Sequence, residues 1–158
     1  MDNTIIKNIN DKVKENDVLY HLGDFCFGPK DDNKYMQLIE KYRNSIKCKN
    51  LSLIFGNHDR KHLKSQYEKI FTSVSDYHEI KLNGMHLILS HFPMRSWNKV
   101  HRGSYMLYGH VHGKLFNEDS LSSSLTLDVG VDTHNFNPWN IVEINNLMKI
   151  KQTNKTNK

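Results

Sequence analysis

Asp24, Asn57, His58, Asp59, His91, His110 and His112 stand in four short polar stops: Gly23-Asp24, Gly56-Asn57-His58-Asp59, Ser90-His91 and Gly109-His110-Val111-His112. Each stop follows directly on an apolar run with side chains suited to a buried strand, at 18–22, 51–55, 86–89 and 106–108. Ligands of an open α/β sheet gather at the carboxyl ends of its strands, so four stops of this kind predict one converging site. Carboxylate, amide carbonyl and imidazole together, without thiolate, suit a divalent ion between magnesium and zinc in softness. Asp24 has two oxygens with which to bridge ions, Asn57 offers a neutral oxygen, and His91 and His110 offer ring nitrogens. His112, two residues beyond His110, falls on the same side of the chain if the backbone stays extended.

Taken in order, these motifs resemble the calcineurin-like metallophosphoesterases. Leu22-Gly23-Asp24-Phe25, His91-Phe92-Pro93-Met94 with Trp97, and Asp128-Val129-Gly130-Val131-Asp132 are similar to the small bacterial and phage members, so the resemblance spans nearly the whole chain. It implies an α/β fold of two packed mixed β-sheets flanked by helices, the αββα sandwich. It implies hydrolysis of phosphomonoesters or phosphodiesters, with a metal-activated water as nucleophile. Asp24, Asn57, His91 and His110 would then hold one ion, and Asp24 and His112 belong to a second. The implied metal is manganese, with iron, zinc, nickel and magnesium as alternatives. His58, not a ligand in the family pattern, faces the leaving group and gives it a hydrogen bond or proton, and Asp59 orients the His58 ring.

The family pattern begins with an Asp-x-His element on a strand ahead of the first helix, whereas this sequence starts inside that helix. The resemblance therefore implies a sandwich lacking its first strand, one complete four-ligand metal site and a second, incomplete one. An exposed sheet edge left in this way calls for a cover, by self-association or a partner chain.

A length of 158 residues fits one domain, placed here at 1–147, followed by a basic polar tail at 148–158 that contains Lys149, Lys151, Lys155 and Lys158. The formal charge of +5 owes much to that tail. A mildly basic body attracts an anionic phosphate ester but does not indicate nucleic acid as a partner. No apolar run approaches the ~20 residues of a membrane span and the amino terminus is polar, so the expectation is a cytoplasmic protein with no membrane partner. Cys26 and Cys48 are too few for a disulfide framework and form no Cys-x-x-Cys pair.

Helices and strands alternate along the first half. Ile5, Ile9 and Val13 mark a helical stripe; Asp31 or Asp32 caps a second helix that buries Tyr35, Leu38, Ile39, Tyr42 and Ile46; a third carries Leu63, Tyr67, Ile70 and Phe71. Asn83-Gly84 between 77–82 and 85–90 is a hairpin signal, because both residues tolerate positive φ. Further strands are predicted at 104–108, 125–131 and 139–144.

Arg60 and Arg95 are candidate phosphate binders, since a planar guanidinium matches phosphate oxygens two at a time. Two functional readings result: a metal-dependent phosphoesterase, or a catalytically impaired remnant that persists as a metal-binding interaction module. Retention of His58, which no fold requires, favours the enzyme.

Overall fold

The structure is a computed structural model that describes residues 2–121 and 124–156. The chain divides into two units, Met1–Asp76 and Tyr77–Lys158.

In the first unit, α1 (Asp2–Lys12) lays Ile5, Ile9 and Val13 against a core that also contains α2 (Asp32–Ser45) and the strands. Asp31 caps α2 by accepting from Lys34 N at 2.8 Å, which satisfies a donor the helix leaves unpaired. β1 (Val18–His21), β2 (Asn50–Ile54) and β3 (Ser73–Ser75) form a parallel sheet in the order β1-β2-β3. Leu51 and Leu53 of β2, Ile39 of α2 and Tyr67 of α3 (Lys64–Tyr67) are fully buried. The Tyr67 hydroxyl stays paired in this core by donating to Tyr35 Oη at 2.9 Å. Because β1 and β2 are parallel and in register from Val18↔Asn50 to His21↔Leu53, their carboxyl ends lie side by side.

The second unit carries a mixed sheet, β4-β5-β6-β7, made of β4 (Tyr77–Leu82), β5 (Met85–Ser90), β6 (Tyr105–Tyr108) and β7 (Thr126–Asp128). β4 and β5 form the predicted hairpin, with Asn83 and Gly84 at φ of 50 and 79°. A Cβ at Gly84 would meet nothing within 4 Å, so glycine serves the backbone angle there and not the space. β5, β6 and β7 run parallel, which sets their carboxyl ends along one edge. Ile88, Met106, Tyr108 and Trp97 form a core cluster, in which Trp97 Nε1 donates to Ser104 Oγ at 3.0 Å.

The α/β class with two sheets and accompanying helices is the expected one, although the first sheet is wholly parallel among the described residues. The strand predicted at 139–144 is absent: α4 (Ile141–Thr156) occupies most of it. Asn140 Oδ1 accepts from Val142 N and Glu143 N at 2.8 and 3.1 Å, and Glu143 Oε2 accepts from Asn140 N at 2.9 Å. That reciprocal capping box outweighs the β propensity of Ile141 and Val142. α4 also takes in residues 148–156 of the predicted tail, and Lys151 Nζ donates to the carbonyls of Asp119 and Thr126 at 3.1 and 2.6 Å. Lys158 lies outside the described residues. No helix among the described residues is long and apolar enough to cross a membrane.

Candidate active site

The first unit supplies two loops at adjacent strand ends. After β1 the chain turns through Gly23 and Asp24, at φ of 94 and 55°. After β2 it runs through Gly56, Asn57, His58 and Asp59. Asp59, 5% exposed, ties these loops together: its carboxylate accepts from Asp24 N at 2.8 Å, Phe25 N at 3.0 Å and Gly56 N at 2.8 Å. Asp24 Oδ1 in turn accepts from His58 N at 2.8 Å. Asp24 is thus seated beside the Asn57-His58 turn by hydrogen bonds in both directions.

This arrangement gives Asp59 a different task from the one expected. Its oxygens bind backbone donors and fix the loops, and the His58 ring packs against Phe27 instead, with ring centroids 4.7 Å apart. Asn57 and His58 are both exposed. Arg60 also departs from expectation. Its Nη1 donates to Lys30 O at 3.0 Å and to Asp32 Oδ1 at 2.8 Å, its Nη2 donates to Pro29 O, and its Cζ lies 4.0 Å over the Tyr35 ring. The guanidinium fork is committed to the loop before α2.

The second unit brings His91, directly after β5, next to His110, directly after β6. Gly109 N donates to His91 O at 3.1 Å, the ring centroids are 5.0 Å apart, and a ring nitrogen of each lies within 4.8 Å of the other. His91 is buried and His110 exposed. Phe92 sets its ring edge-on to both, at 4.9 and 4.7 Å. His110 and His112 hold φ of 68 and 52°, a left-handed geometry that costs a non-glycine residue about 1–3 kcal/mol and is maintained only by the surrounding structure.

Asp128, the last residue of β7, and Asp132, in the turn beyond it, brace the His112-Gly113 end of this loop. Asp128, buried, accepts from Gly113 N at 2.8 Å and Gly130 N at 2.9 Å, while Asp132 Oδ2 lies 2.5 Å from His112 Nδ1. A Cβ at Gly130 would come within 2.7 Å of Asp132 Oδ1 and 3.0 Å of Asp128 Oδ1, so a side chain there would displace both acids. Their supporting role escapes a reading of the sequence, although two acids four residues apart, the first of them ending a strand, are a usable signal.

The calcineurin-like phosphoesterase superfamily domain matches residues 2–138. The chain belongs to that superfamily. It is 27% identical over 140 residues to the uncharacterised protein MJ1445 of Methanocaldococcus jannaschii, across 87% of this chain and 69% of the relative. Its fold is similar to the crystal structure of AQ665, a protein of unknown function from Aquifex aeolicus, with a TM-score of 0.69 and 23% identity over 92% of this chain and 84% of the other.

Within this calcineurin-like chain, thiol chemistry has no place at the loops after β1 and β2. Burial, and then the Asp59 charge, push the Cys26 thiol up to about 11, so it stays protonated at neutral pH. Oxygen and imidazole groups remain as the reactive set. Carboxylate and imidazole together suit a hard-to-borderline divalent cation.

Proposed function

We propose that this chain is a metal-dependent hydrolase of phosphate esters, mono- or diesters, in which Asp24, Asn57, His91 and His110 hold one divalent ion and His58 assists the leaving group. The observation that carries this reading is the His91–His110 pair: two ring nitrogens within 4.8 Å, one of them on left-handed backbone, in a chain of the calcineurin-like superfamily. Two imidazoles that close can each give a ring nitrogen to one shared divalent cation. The donor set fits the group: two nitrogens, the Asp24 carboxylate and the Asn57 amide oxygen match manganese or a neighbour in the divalent series. His112, with Asp24, serves a second and weaker site.

A divalent ion bound there polarises phosphoryl oxygens and makes water acidic enough to attack near neutral pH. The residues do the rest. His91, held by burial, and His110, held by its loop, present their rings on a fixed backbone. Asp24 accepts the His58 backbone N–H, which couples the carboxylate to the residue that works on the leaving oxygen. His58, exposed, donates a proton or hydrogen bond to that oxygen as the P–O bond breaks.

The test is hydrolysis of bis-p-nitrophenyl phosphate and of a 2′,3′-cyclic nucleotide with manganese, before and after chelation. Manganese-dependent turnover that Asp24→Asn and His110→Ala abolish supports the reading. A chain that binds manganese yet hydrolyses neither ester favours the non-enzymatic metal-binding module.

A further inference from the structure

Phe27 is the exception on its loop. Phe25 packs edge-on to Phe71 and His21, at 5.0 Å in each case, and Cys26 is buried, yet the Phe27 side chain between Cys26 and Gly28 is left 71% exposed. Its backbone is held firmly on both sides. Phe25 N donates to Asp59, and Arg60 donates to Pro29 O and Lys30 O. At Gly28 an added Cβ would come within 2.8 Å of Tyr35 Cδ2 and 3.2 Å of Leu38 Cδ2, so only glycine lets the loop lie this close to α2. An aromatic ring is therefore held in water on a clamped loop, although burying it would ordinarily be favourable.

The neighbour of that ring gives the exposure a meaning. His58 lies 4.7 Å away, centroid to centroid, with the planes tilted by 54°, and His58 is the residue assigned to the leaving oxygen. Whatever substituent that oxygen carries comes next to the Phe27 ring. We propose that Phe27 is a specificity-determining residue that selects phosphate esters with an aromatic leaving group, aryl or nucleoside, by stacking against it. The inference rests on the phosphoesterase reading above. Arg60, Gly28 and Asp59 act as positioning residues for the platform, which explains why the guanidinium is spent on loop carbonyls.

Binding of non-hydrolysable phosphonates separates this inference from the reading beneath it. With manganese present, the wild-type chain binds phenylphosphonate about tenfold more tightly than methylphosphonate, in line with stacking on a single ring. Phe27→Ala removes the preference and leaves methylphosphonate affinity unchanged, and Phe27→Tyr restores it. Equal affinity of the wild type for both phosphonates overturns the inference while the phosphoesterase reading stands. So does a preference that survives in Phe27→Ala. Loss of methylphosphonate binding in Phe27→Ala makes Phe27 a packing support for His58 and likewise overturns it. Failure of the wild type to bind either phosphonate overturns both proposals together.

Discussion

His112 Nδ1 lies 2.5 Å from Asp132 Oδ2, so the carboxylate selects which ring nitrogen of His112 carries the proton. In the neutral ring the proton belongs on Nδ1 and the lone pair on Nε2, the arrangement found when a metal-ligating histidine is backed by an acid. Nitrogen-15 NMR of the metal-free chain should show His112 as the Nδ1–H tautomer, and Asp132→Ala should abolish that preference. Loss of the acid should also weaken the second, weaker manganese site by roughly 10–100-fold. An unchanged His112 spectrum in Asp132→Ala would show the contact to be a surface pair with no hold on the ring.

His58 and His110 are both exposed histidines, but they are assigned opposite parts. His110→Ala should lower manganese content and turnover together. His58→Ala should retain manganese and lower turnover about 10²–10⁴-fold, the usual worth of general acid catalysis. Metal analysis after dialysis, run beside the ester assay, separates the two. If His58→Ala strips the metal as thoroughly as His110→Ala, His58 is a ligand.

Strand ends were the legible part of this molecule. Apolar runs that stop at Asp24, Asn57, His91 and His110 reveal β1, β2, β5 and β6 through one pattern, because a buried strand ends where polar loop residues begin. Asn83-Gly84 was equally plain, since a two-residue hairpin needs positive φ at both positions and the structure has it. What failed depends on distant partners. Ser73–Ser75 has a single apolar residue and is a strand because it pairs with β2 from Ser52↔Ser73 to Ile54↔Ser75, with Phe55 N donating to Ser75 O at 2.8 Å just beyond. Arg60 reads as a candidate phosphate binder because the carbonyls of Pro29 and Lys30 that take its donors are invisible in sequence. Ile141–Thr156 is different: the Asn140…Glu143 capping box was local and readable, but three neighbouring residues of high β propensity, Trp139, Ile141 and Val142, obscured it.

Glu79 gives the second unit an acid-labile tie. Its carboxylate accepts from Tyr77 Oη at 2.6 Å and from Asn98 Nδ2 at 3.1 and 3.0 Å, and it lies 2.8 Å from His86 Nε2. These bonds, Tyr77 first, hold its pKa at about 2 against an ordinary 4.5. A depressed carboxylate adds stability that is fully present above its unfolded value and is lost as the pH falls through its folded one. Glu79→Gln should thus have a lower urea midpoint than the wild type at pH 7. The gap should shrink between pH 4.5 and about 2 and vanish below that. A gap independent of pH would mean that the Glu79 charge adds nothing to its hydrogen bonds.

Asp59 presents the sharpest choice between two roles. If it served mainly to orient His58, its removal would leave the fold intact and lower turnover as His58→Ala does. The structure instead has it accept three backbone N–H groups while 5% exposed. Asp59→Ala strands those donors away from water, at a cost of about 1–3 kcal/mol for each one left unsatisfied, tempered by whatever water enters the gap. The expected net loss is about 3 kcal/mol, against about 0.5 kcal/mol or less for His58→Ala at an exposed position. Asp59→Asn keeps one oxygen and should fall between them. Because Asp59 also holds the backbone of Asp24, the destabilised variant should bind manganese more weakly even where it remains folded, a loss His58→Ala does not share. Urea denaturation with manganese titration decides the matter: Asp59→Ala as stable as His58→Ala, with full metal and impaired turnover, would return Asp59 to the service of the His58 ring.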